Sequence, residues 1–397
     1  MSFWTALPRP IVGLAPMDGV TDATFRRLVA RAGKPDVTFT EFTHVNDICR
    51  APDFLLDSLI YSEEERPIVA QIYGKDPELF CVAAQVVGAL GFDGLDINMG
   101  CPSRSVASSG SGAGLIRTPE LARAIVQATQ RGLDAWATGA PLPTERLRAG
   151  RVELIGRMNE VRSGSTAMAR RVLPLSIKTR LGFEADIIDW WMAWLLESQP
   201  AAITIHGRTL EQMYRGRADW AAIARAVDGA RGSGTLVLGN GDIQSLAEAA
   251  VRIQETGVNG VLVGRSALGE PWFFRDLARG RAAWIGGAAP PREALNPPVP
   301  RAVRCAAMLD HARLFESLCD RSRFQHIRKH LAWYCKGFPH AAAMRTRLVR
   351  ASSSDDVAAI IQEFEREFPA VPAGVGLDAS SPLGTSALPS PSAASHA

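Results

Sequence analysis

Residues 94–106 read GLDINMGCPSRSV, an apolar run that stops abruptly at polar residues and a cysteine. The run predicts a buried strand that ends at Asn98 and leads into a turn around Cys101. A glycine-rich loop, Ser108–Gly114, follows. A cysteine where a strand gives way to a flexible loop is more often functional than one inside an apolar face. We therefore interpret Cys101 as a functional thiol. The competing interpretation is a small apolar residue that fills a strand end.

This strand is one of eight short apolar runs that alternate with helical patterns over about 250 residues. Continuous apolarity, rather than alternation, indicates strands buried on both faces, as in parallel sheets. Eight such units predict an α/β fold, a TIM (β/α)8 barrel. The eight runs are Ile11–Ala15, Val37–Phe42, Ile68–Ile72, Gly94–Asn98, Leu175–Lys178, Ala202–Ile205, Thr235–Leu238 and Gly260–Val263. The structural alternative is a doubly wound open sheet, but no GxGxxG opens the first helix, which counts against a dinucleotide-binding domain.

The predicted barrel occupies residues 1–289 and carries an insertion at 132–171. A proline-rich linker over 290–300 leads to a small all-helical C-terminal domain, 301–368. An Ala/Ser/Pro-rich tail, 369–397, is expected to be disordered. Helix-to-strand connections lie at the amino-terminal face of a TIM barrel, so we expect the insertion to be peripheral to the active site. With eight Lys/Arg against four Asp/Glu over residues 131–171, contact with a nucleic acid is the alternative for the insertion.

Composition excludes several classes of protein. The 397 residues contain 47% hydrophobic and 21% charged residues, and the net charge is only +3, so nucleic-acid binding must be argued from local charge. The six cysteines form no CxxC pair, and we expect no metal site. No secretory signal and no run of about 18 apolar residues occurs, so we expect a monomeric cytoplasmic protein with reduced thiols and no membrane contact.

Local charge is concentrated in the predicted helical domain. Between residues 301 and 350 there are eleven Lys/Arg against three Asp/Glu, and four of the seven histidines fall there as well. A basic stripe of this kind is typical of surfaces that contact phosphates. A solvated helical face is the plainer alternative.

Polar residues crowd the predicted carboxyl ends of the strands, where TIM barrels build their active sites. Glycines at the ends of the last two strands, over Gly239–Asp242 and Gly264–Ser266, are typical of a phosphate site, so we expect a phosphate-bearing cofactor. Lys178 and His206 are expected to point inward and to stabilise negative charge on a cofactor ring. Gln71 offers both a donor and an acceptor to a ring edge.

Seven strings occur in order: APMDGVTD, QIYG, DINMGCPSRSV, KTRLG, HGRT followed by Tyr214, NGDI and GRSAL. Together they resemble the tRNA-dihydrouridine synthases over about residues 11–275. The segment RKHLAWY, residues 328–334, resembles the helical domain of the same family. The resemblance implies a flavoprotein oxidoreductase of tRNA processing, in which an FMN-bearing barrel uses NADPH to reduce specific uridines of the tRNA D-loop to 5,6-dihydrouridine.

The resemblance also implies roles for individual residues. Cys101 would be the catalytic acid. Cofactor contacts would come from Pro16, Met17, Asp18, Gln71, Lys178, His206, Asn240, Gly241, Asp242, Gly264 and Arg265. Contacts with the substrate tRNA would come from Asn98, Arg180, Tyr214, Arg328 and Lys329. Arg104 is a departure, because many relatives carry lysine at that place; a cation is kept there with changed geometry.

The implied chemistry suits these residue types. Hydride addition to carbon 6 of uracil leaves an enolate that needs a proton on carbon 5, and a thiol with a pKa of about 8.5 is mostly protonated at neutral pH. The uridine must leave any stack to reach the cofactor, which implies base flipping. Two other functions fit parts of the pattern: an FMN barrel that reduces a free pyrimidine, and an RNA-binding protein with an inactive barrel. The basic C-terminal helices count against the first. Cys101, Lys178 and the glycine-rich strand ends count against the second.

Overall fold

The computed structural model describes residues 2–285, 295–319 and 321–369. Eight parallel strands form one sheet in the order β1-β8-β7-β6-β5-β4-β3-β2. The strands are β1 Ile11–Leu14, β2 Thr38–His44, β3 Ile68–Tyr73, β4 Gly94–Met99, β5 Leu175–Arg180, β6 Ala202–His206, β7 Leu236–Asn240 and β8 Gly260–Val263. Backbone bonds close the sheet between β1 and the start of β2. Leu14 donates to the Val37 carbonyl at 3.0 Å, and Asp36 donates to that of Val12 at 3.0 Å. The predicted TIM barrel is confirmed.

Helices surround the barrel and also cover its amino-terminal end. Within the barrel part they are α1 Phe3–Ala6, α2 Ala23–Ala32, α3 Val45–Arg50, α4 Pro77–Ala89, α5 Arg104–Ser108, α6 Pro119–Ala137, α7 Arg151–Ser163, α8 Ile188–Leu196, α9 Trp220–Gly229, α10 Leu246–Thr256 and α11 Leu277–Ile285. Short 3-10 helices include Asp53–Leu59 and Arg265–Ala267. Trp4 of α1 is buried in one apolar cluster with Phe39, Leu238 and Leu262, and so fills the barrel interior from the end opposite the predicted site. Nothing in the local sequence pattern of α1 predicted this contact.

Residues 132–171 lie against the outside of the barrel. Helix α6 continues to Ala137, past the predicted start of the insertion, and α7 follows. The guanidinium of Arg162 stacks on Tyr61 at 4.2 Å, and Arg171 pairs with Asp93 at 2.8 Å. Asp93 directly precedes β4, so these contacts lie toward the amino ends of the strands.

The C-terminal part is helical, as predicted. Its helices are α12 Arg301–Leu318, α13 Arg328–Tyr334, α14 Ala341–Leu348 and α15 Ser354–Glu367. Their apolar core includes Leu28 of α2 and Trp272 from the barrel part, so the two parts share one packed interface. Arg304 extends this interface by donating to the Gly269 carbonyl at 3.1 Å and pairing with Glu270 at 2.9 Å. The predicted tail lies outside the described residues from 370 onward, as do residues 290–294 of the predicted linker.

A buried ion pair ties α2 to the segment before β3. Arg26 Nε donates to Glu65 Oε2 at 2.7 Å with both side chains fully buried, and Arg26 Nη1 donates to the Thr21 carbonyl at 2.6 Å. Arg26→Met leaves the Glu65 carboxylate without its counter-ion, so we expect a loss of about 3–5 kcal/mol in the free energy of unfolding, measured by urea denaturation. Arg31→Met is the matched control, because the Arg31–Glu64 pair is about half exposed and such pairs contribute about 0–1 kcal/mol. Equal losses in the two variants would contradict the assignment.

Candidate active site

A cavity of about 1150 Å³ opens at the carboxyl ends of the strands. It brings together fifteen of the seventeen residues predicted from the sequence: Pro16, Met17, Asp18, Gln71, Asn98, Cys101, Lys178, Arg180, His206, Tyr214, Asn240, Gly241, Asp242, Gly264 and Arg265. The other two, Arg328 and Lys329, belong to α13 and do not line it. No residue of 132–171 lines it either. Strand register accounts for the convergence, since Gln71 pairs with Asp96, Asn98 with Lys178, and Arg180 with His206.

A relay of hydrogen bonds runs across the cavity floor from a buried carboxylate to the turn that carries Cys101. Gln71 Nε2 donates to Asp96 Oδ2 at 2.7 Å, and Asn98 Nδ2 donates to Gln71 Oε1 at 3.0 Å. Asn98 Oδ1 then accepts the backbone N–H groups of Gly100 and Cys101, both at 2.9 Å. Because each bond fixes the next donor and acceptor, the relay determines the orientation of the side-chain amides of Gln71 and Asn98.

Asp96 is the member of the relay that sequence reasoning missed. Its carboxylate is fully buried and accepts a second hydrogen bond from Ser176 Oγ at 2.6 Å. Burial raises the pKa of Asp96 to about 6, against the opposing effect of the bonds from Ser176 and Gln71. A carboxylate inside an otherwise apolar strand was the available signal, because a buried charge requires partners.

Cys101 lies at the wall of the cavity with 7% of its surface exposed. Burial raises the pKa of the Cys101 thiol, so it remains protonated at neutral pH. The glycine-rich loop packs closely behind it: a Cβ on Gly112 would lie 3.2 Å from Cys101 Cβ, and Gly112 has a φ of +56°. From the neighbouring strand, Arg180 Nε donates to the Gly100 carbonyl at 2.7 Å and supports the same turn. The thiol is therefore held on a turn that is anchored from both sides.

The cavity carries a concentration of positive charge beside this turn. Lys178 makes no hydrogen bond or ion pair with any residue of the described ranges, although it lines the cavity. Burial, together with the nearby Arg180, lowers the pKa of Lys178 to about 8. Burial and then the neighbouring cations Arg180 and Lys178 hold the pKa of His206 well below its usual value, so its imidazole is neutral. Lys178 is thus an unpartnered cation that suits a ligand with an acceptor or a negative charge.

The ends of β7 and β8 form the opposite side of the cavity. Asp242 accepts from Arg208 Nη2 at 2.6 Å, from Arg265 Nη2 at 2.9 Å and from the Ala218 N–H at 2.7 Å. Its carboxylate therefore positions two arginines. Gly241 is required here, because its φ is +132° and a Cβ would lie 2.6 Å from that of Ala218. Arg208 is not among the predicted site residues, and its contact with Asp242 spans 34 residues, beyond the reach of a local sequence pattern.

At the mouth of the cavity, Arg265 stacks over the ring of Tyr214 at 5.5 Å. Tyr214 is 57% exposed, which leaves its other face to a ligand. Asn240 Nδ2, in contrast, donates to the Leu262 carbonyl at 2.8 Å and joins β7 to β8.

The basic stripe of the helical domain is weaker than the residue count indicated. Most of its arginines are bound within the chain: Arg328 Nε donates to the Ala351 carbonyl at 2.7 Å, and Arg323 pairs with Asp57 at 2.8 Å. Two of the four histidines, His311 and His330, are buried against the barrel, and burial lowers their pKa values to about 4 and 3. They carry no charge at neutral pH and do not belong to the stripe.

The exposed Lys329 is placed differently. Its ammonium lies beside Gly19 at the mouth of the cavity, and its charge lowers the pKa of the Asp18 carboxyl against the larger, opposing effect of burial. Of the stripe, Arg313, Lys329 and Arg350 are exposed and have no hydrogen-bond or ion-pair partner in the described part of the chain.

The sequence matches a family profile described as "Dihydrouridine synthase (Dus)" over residues 13–142 and 152–368. The chain belongs to the dihydrouridine synthase family. It is thus an enzyme, an oxidoreductase. The gap of nine residues between the two matched segments, 143–151, falls inside the predicted insertion.

Full-length relatives agree with this assignment. A "Probable tRNA-dihydrouridine synthase" of Staphylococcus aureus (strain MRSA252) is 32% identical over 92% of this chain and 96% of its own length. "Probable tRNA-dihydrouridine synthase 2" of Bacillus subtilis (strain 168) is 31% identical over 92% of this chain and 98% of its own. A structure of morphinone reductase in complex with tetrahydroNAD matches 74% of this chain and 90% of its own length at 12% identity, with a TM-score of 0.40.

No helix within the described ranges is long and apolar enough to cross a membrane. No group of three or more His, Cys, Asp or Glu side chains in those ranges is arranged to hold a metal ion.

Asn98 is expected to control the accessibility of Cys101. Asn98→Ala removes the acceptor of two backbone N–H groups, each bond contributing about 1 kcal/mol, so the turn should open at least about tenfold more often. The measurement is the rate of iodoacetamide alkylation of the Cys101 peptide by mass spectrometry.

Asp96→Asn is the matched control. An asparagine there can still accept from Gln71 and can donate to the Ser176 hydroxyl, so the relay and the alkylation rate should be kept. An unchanged rate in Asn98→Ala would show that the relay does not anchor the turn.

Proposed function

We propose that this chain is an FMN-dependent tRNA-dihydrouridine synthase that reduces specific uridines of the tRNA D-loop to 5,6-dihydrouridine at the expense of NADPH, in the cytoplasm. One observation carries the proposal: a protonated thiol, Cys101, and an unpartnered ammonium, Lys178, line the same cavity. The thiol is suited to donate a proton to carbon 5 of uracil. The ammonium is suited to stabilise negative charge on an electron-rich ring.

The residues present fit FMN. A cavity of about 1150 Å³ exceeds the usual range for one small ligand, about 300–1,000 Å³, and so leaves room for a cofactor beside a base. Lys178 has no partner within the described chain and would contact the isoalloxazine ring, as would Gln71 through the free N–H of its amide. Arg265 and the backbone around Gly241 and Gly264 would hold the phosphate. When bound, the flavin supplies the hydride for carbon 6 of uracil.

Cys101 completes the reduction. The hydride adds to carbon 6, the carbon 5–carbon 6 double bond opens, and the Cys101 S–H bond breaks to give its proton to carbon 5. The thiolate that remains regains a proton from solvent. Lys178 and Arg180, both near the thiol, favour that transient thiolate, while burial keeps the resting group protonated. Asn98 and Arg180 hold the turn, so the thiol is positioned before the substrate arrives.

The helical domain would bind the rest of the tRNA. Lys329 belongs to this domain, and its ammonium reaches the cavity mouth, where a flipped uridine must enter. Arg313 and Arg350 add exposed charge for phosphate contacts. Tyr214 offers an open ring face to the uridine or its neighbour.

Cys101→Ala separates the two halves of the reaction. The variant should still bind FMN and be reduced by NADPH at the wild-type rate, because Lys178 and the β7–β8 end are intact. Loss of one general acid typically costs 10²–10⁴-fold, so dihydrouridine formation on tRNA transcripts should fall by about that factor. The measurements are stopped-flow flavin absorbance and mass spectrometry of digested tRNA. Undiminished turnover would exclude Cys101 as the acid, and activity on free uracil would favour a free-pyrimidine reductase instead.

Lys329→Gln tests the tRNA contact. If its ammonium meets a phosphate, tRNA affinity should fall and the slope of log K against log salt should decrease by about one, while NADPH oxidation is unchanged. Arg231→Gln is the control, since Arg231 is 78% exposed near the amino end of β7, away from the cavity. The contact is excluded if the two variants have the same slope as wild type.

A further inference from the structure

A second cavity of about 330 Å³ lies beside the main one, on the other side of the Cys101 turn. The two cavities share Asp18, Phe42 and Ser103 in their walls. The far wall comes from the 3-10 helix Asp53–Leu59, through Leu55 and Ser58. Its volume is near the lower end for small-molecule sites and suits a single base. Because the two cavities adjoin, a group that is covalently attached to the ligand of the main cavity can reach the second cavity.

Aromatic rings line this second cavity. Tyr73 at the end of β3 meets Phe42 edge-on, with centroids 4.9 Å apart at 86°, and meets His44 at 4.9 Å and 81°. Burial lowers the pKa of His44, so its imidazole is neutral, and Nδ1 accepts the Asn46 N–H at 3.1 Å. Its Nε2 is then an N–H donor. Rings that already pack edge-on against each other offer the flat contacts that a planar heterocycle needs.

The charge of the second cavity is opposite to that of the main one. Its ionisable acids are Asp18 and Asp47, and no lysine or arginine is present among its described lining residues. The half-buried Asp47 carboxylate accepts no hydrogen bond and forms no ion pair with any described residue, and the Tyr73 hydroxyl is equally unpaired. A ligand that presents N–H donors would be attracted.

We propose that this second cavity binds a guanine base of the nucleotide adjacent to the target uridine; the proposal rests on the proposed function. The N1–H and N2–H groups of guanine are adjacent donors that match the two oxygens of the Asp47 carboxylate. In adenine and cytosine the ring nitrogen next to the amino group is an acceptor. It would face a carboxylate oxygen, which is also an acceptor, so no second hydrogen bond forms. Enzymes that flip a base commonly read the −1 or +1 nucleotide as well.

Two segments close the second cavity: the 3-10 helix Asp53–Leu59 and the turn after Cys101. Arg323 of the helical part pairs with Asp57 at 2.8 Å and so fixes the 3-10 helix that closes the second cavity. Ser103 and Ser105 supply hydroxyls from the turn after Cys101. The base beside the uridine would therefore contact the segment that carries the proton donor.

The test uses full-length holoenzyme and tRNA transcripts in which each neighbour of the mapped target uridine is guanosine or adenosine. At one neighbour, wild type should prefer guanosine by at least about tenfold in kcat/KM, the usual value of one bidentate contact. Asp47→Asn should lose that preference and turn toward adenosine, which an amide can contact bidentately. Glu78→Gln is the matched control: Glu78 is an exposed carboxylate in the first turn of α4, outside both cavities, and should keep the wild-type preference.

Each other outcome overturns the proposal. If Asp47→Asn keeps the wild-type preference, or no neighbour matters, the second cavity does not bind this base. If Asp47→Asn slows flavin reduction by NADPH and leaves the tRNA half-reaction unchanged, the cavity belongs to the reductant. Absence of dihydrouridine with wild-type enzyme on every transcript would instead refute the proposed function itself, so the two failures are distinguishable.

Discussion

Parallel pairing of eight strands is the constraint on which the rest of this structure depends. It directs every carboxyl end to one rim, and the register then decides which side chains meet. Gln71 faces Asp96, Asn98 faces Lys178, and His206 lies between Arg180 and Asn240. The strands are largely buried, and most of the polar side chains predicted for the site lie at or just beyond their carboxyl ends. A dense functional rim is thus the direct consequence of strands that are buried on both faces.

The charges at the rim form two environments separated by one turn. On one side, Lys178, Arg180 and Arg265 face the main cavity, and Asp96 offsets part of this charge from below. On the other side, Asp47 faces the second cavity, and Asp18 lies in the wall that the two cavities share. The turn around Cys101 lies between them and is held by Asn98 and Arg180. A thiol in this position stays protonated at rest because it is buried, yet has cations nearby when it ionises.

Sequence patterns predicted the strands and the rim residues because both are local: an apolar run and the polar residue that ends it are neighbours in the chain. Contacts that join distant segments could not be predicted from these local patterns. The role of Asn98 as a tRNA contact stays a prediction, whereas its bond to Gln71, which spans 27 residues, and its hold on the Cys101 turn were not predicted. His311 was counted with the basic stripe, but it is bound to Thr24 across 287 residues. In both cases the residue type was informative, but its hydrogen-bond partner is distant in the chain and could not be predicted from a local pattern.

A chain of hydrogen bonds joins the barrel to the helical domain. Tyr334 donates to His311 Nδ1, His311 Nε2 donates to Thr24, and Thr24 Oγ1 donates to Asp22, the residue that caps α2. Because His311 is neutral, the Thr24–Asp22 bond leaves Thr24 Oγ1 to accept from Nε2 and leaves Nδ1 to accept from the Tyr334 hydroxyl. Because burial keeps the pKa of His311 near 4, this histidine does not change charge between pH 5 and 8. Lys329 follows the junction residues in α13, and its ammonium lies at the cavity mouth beside Gly19.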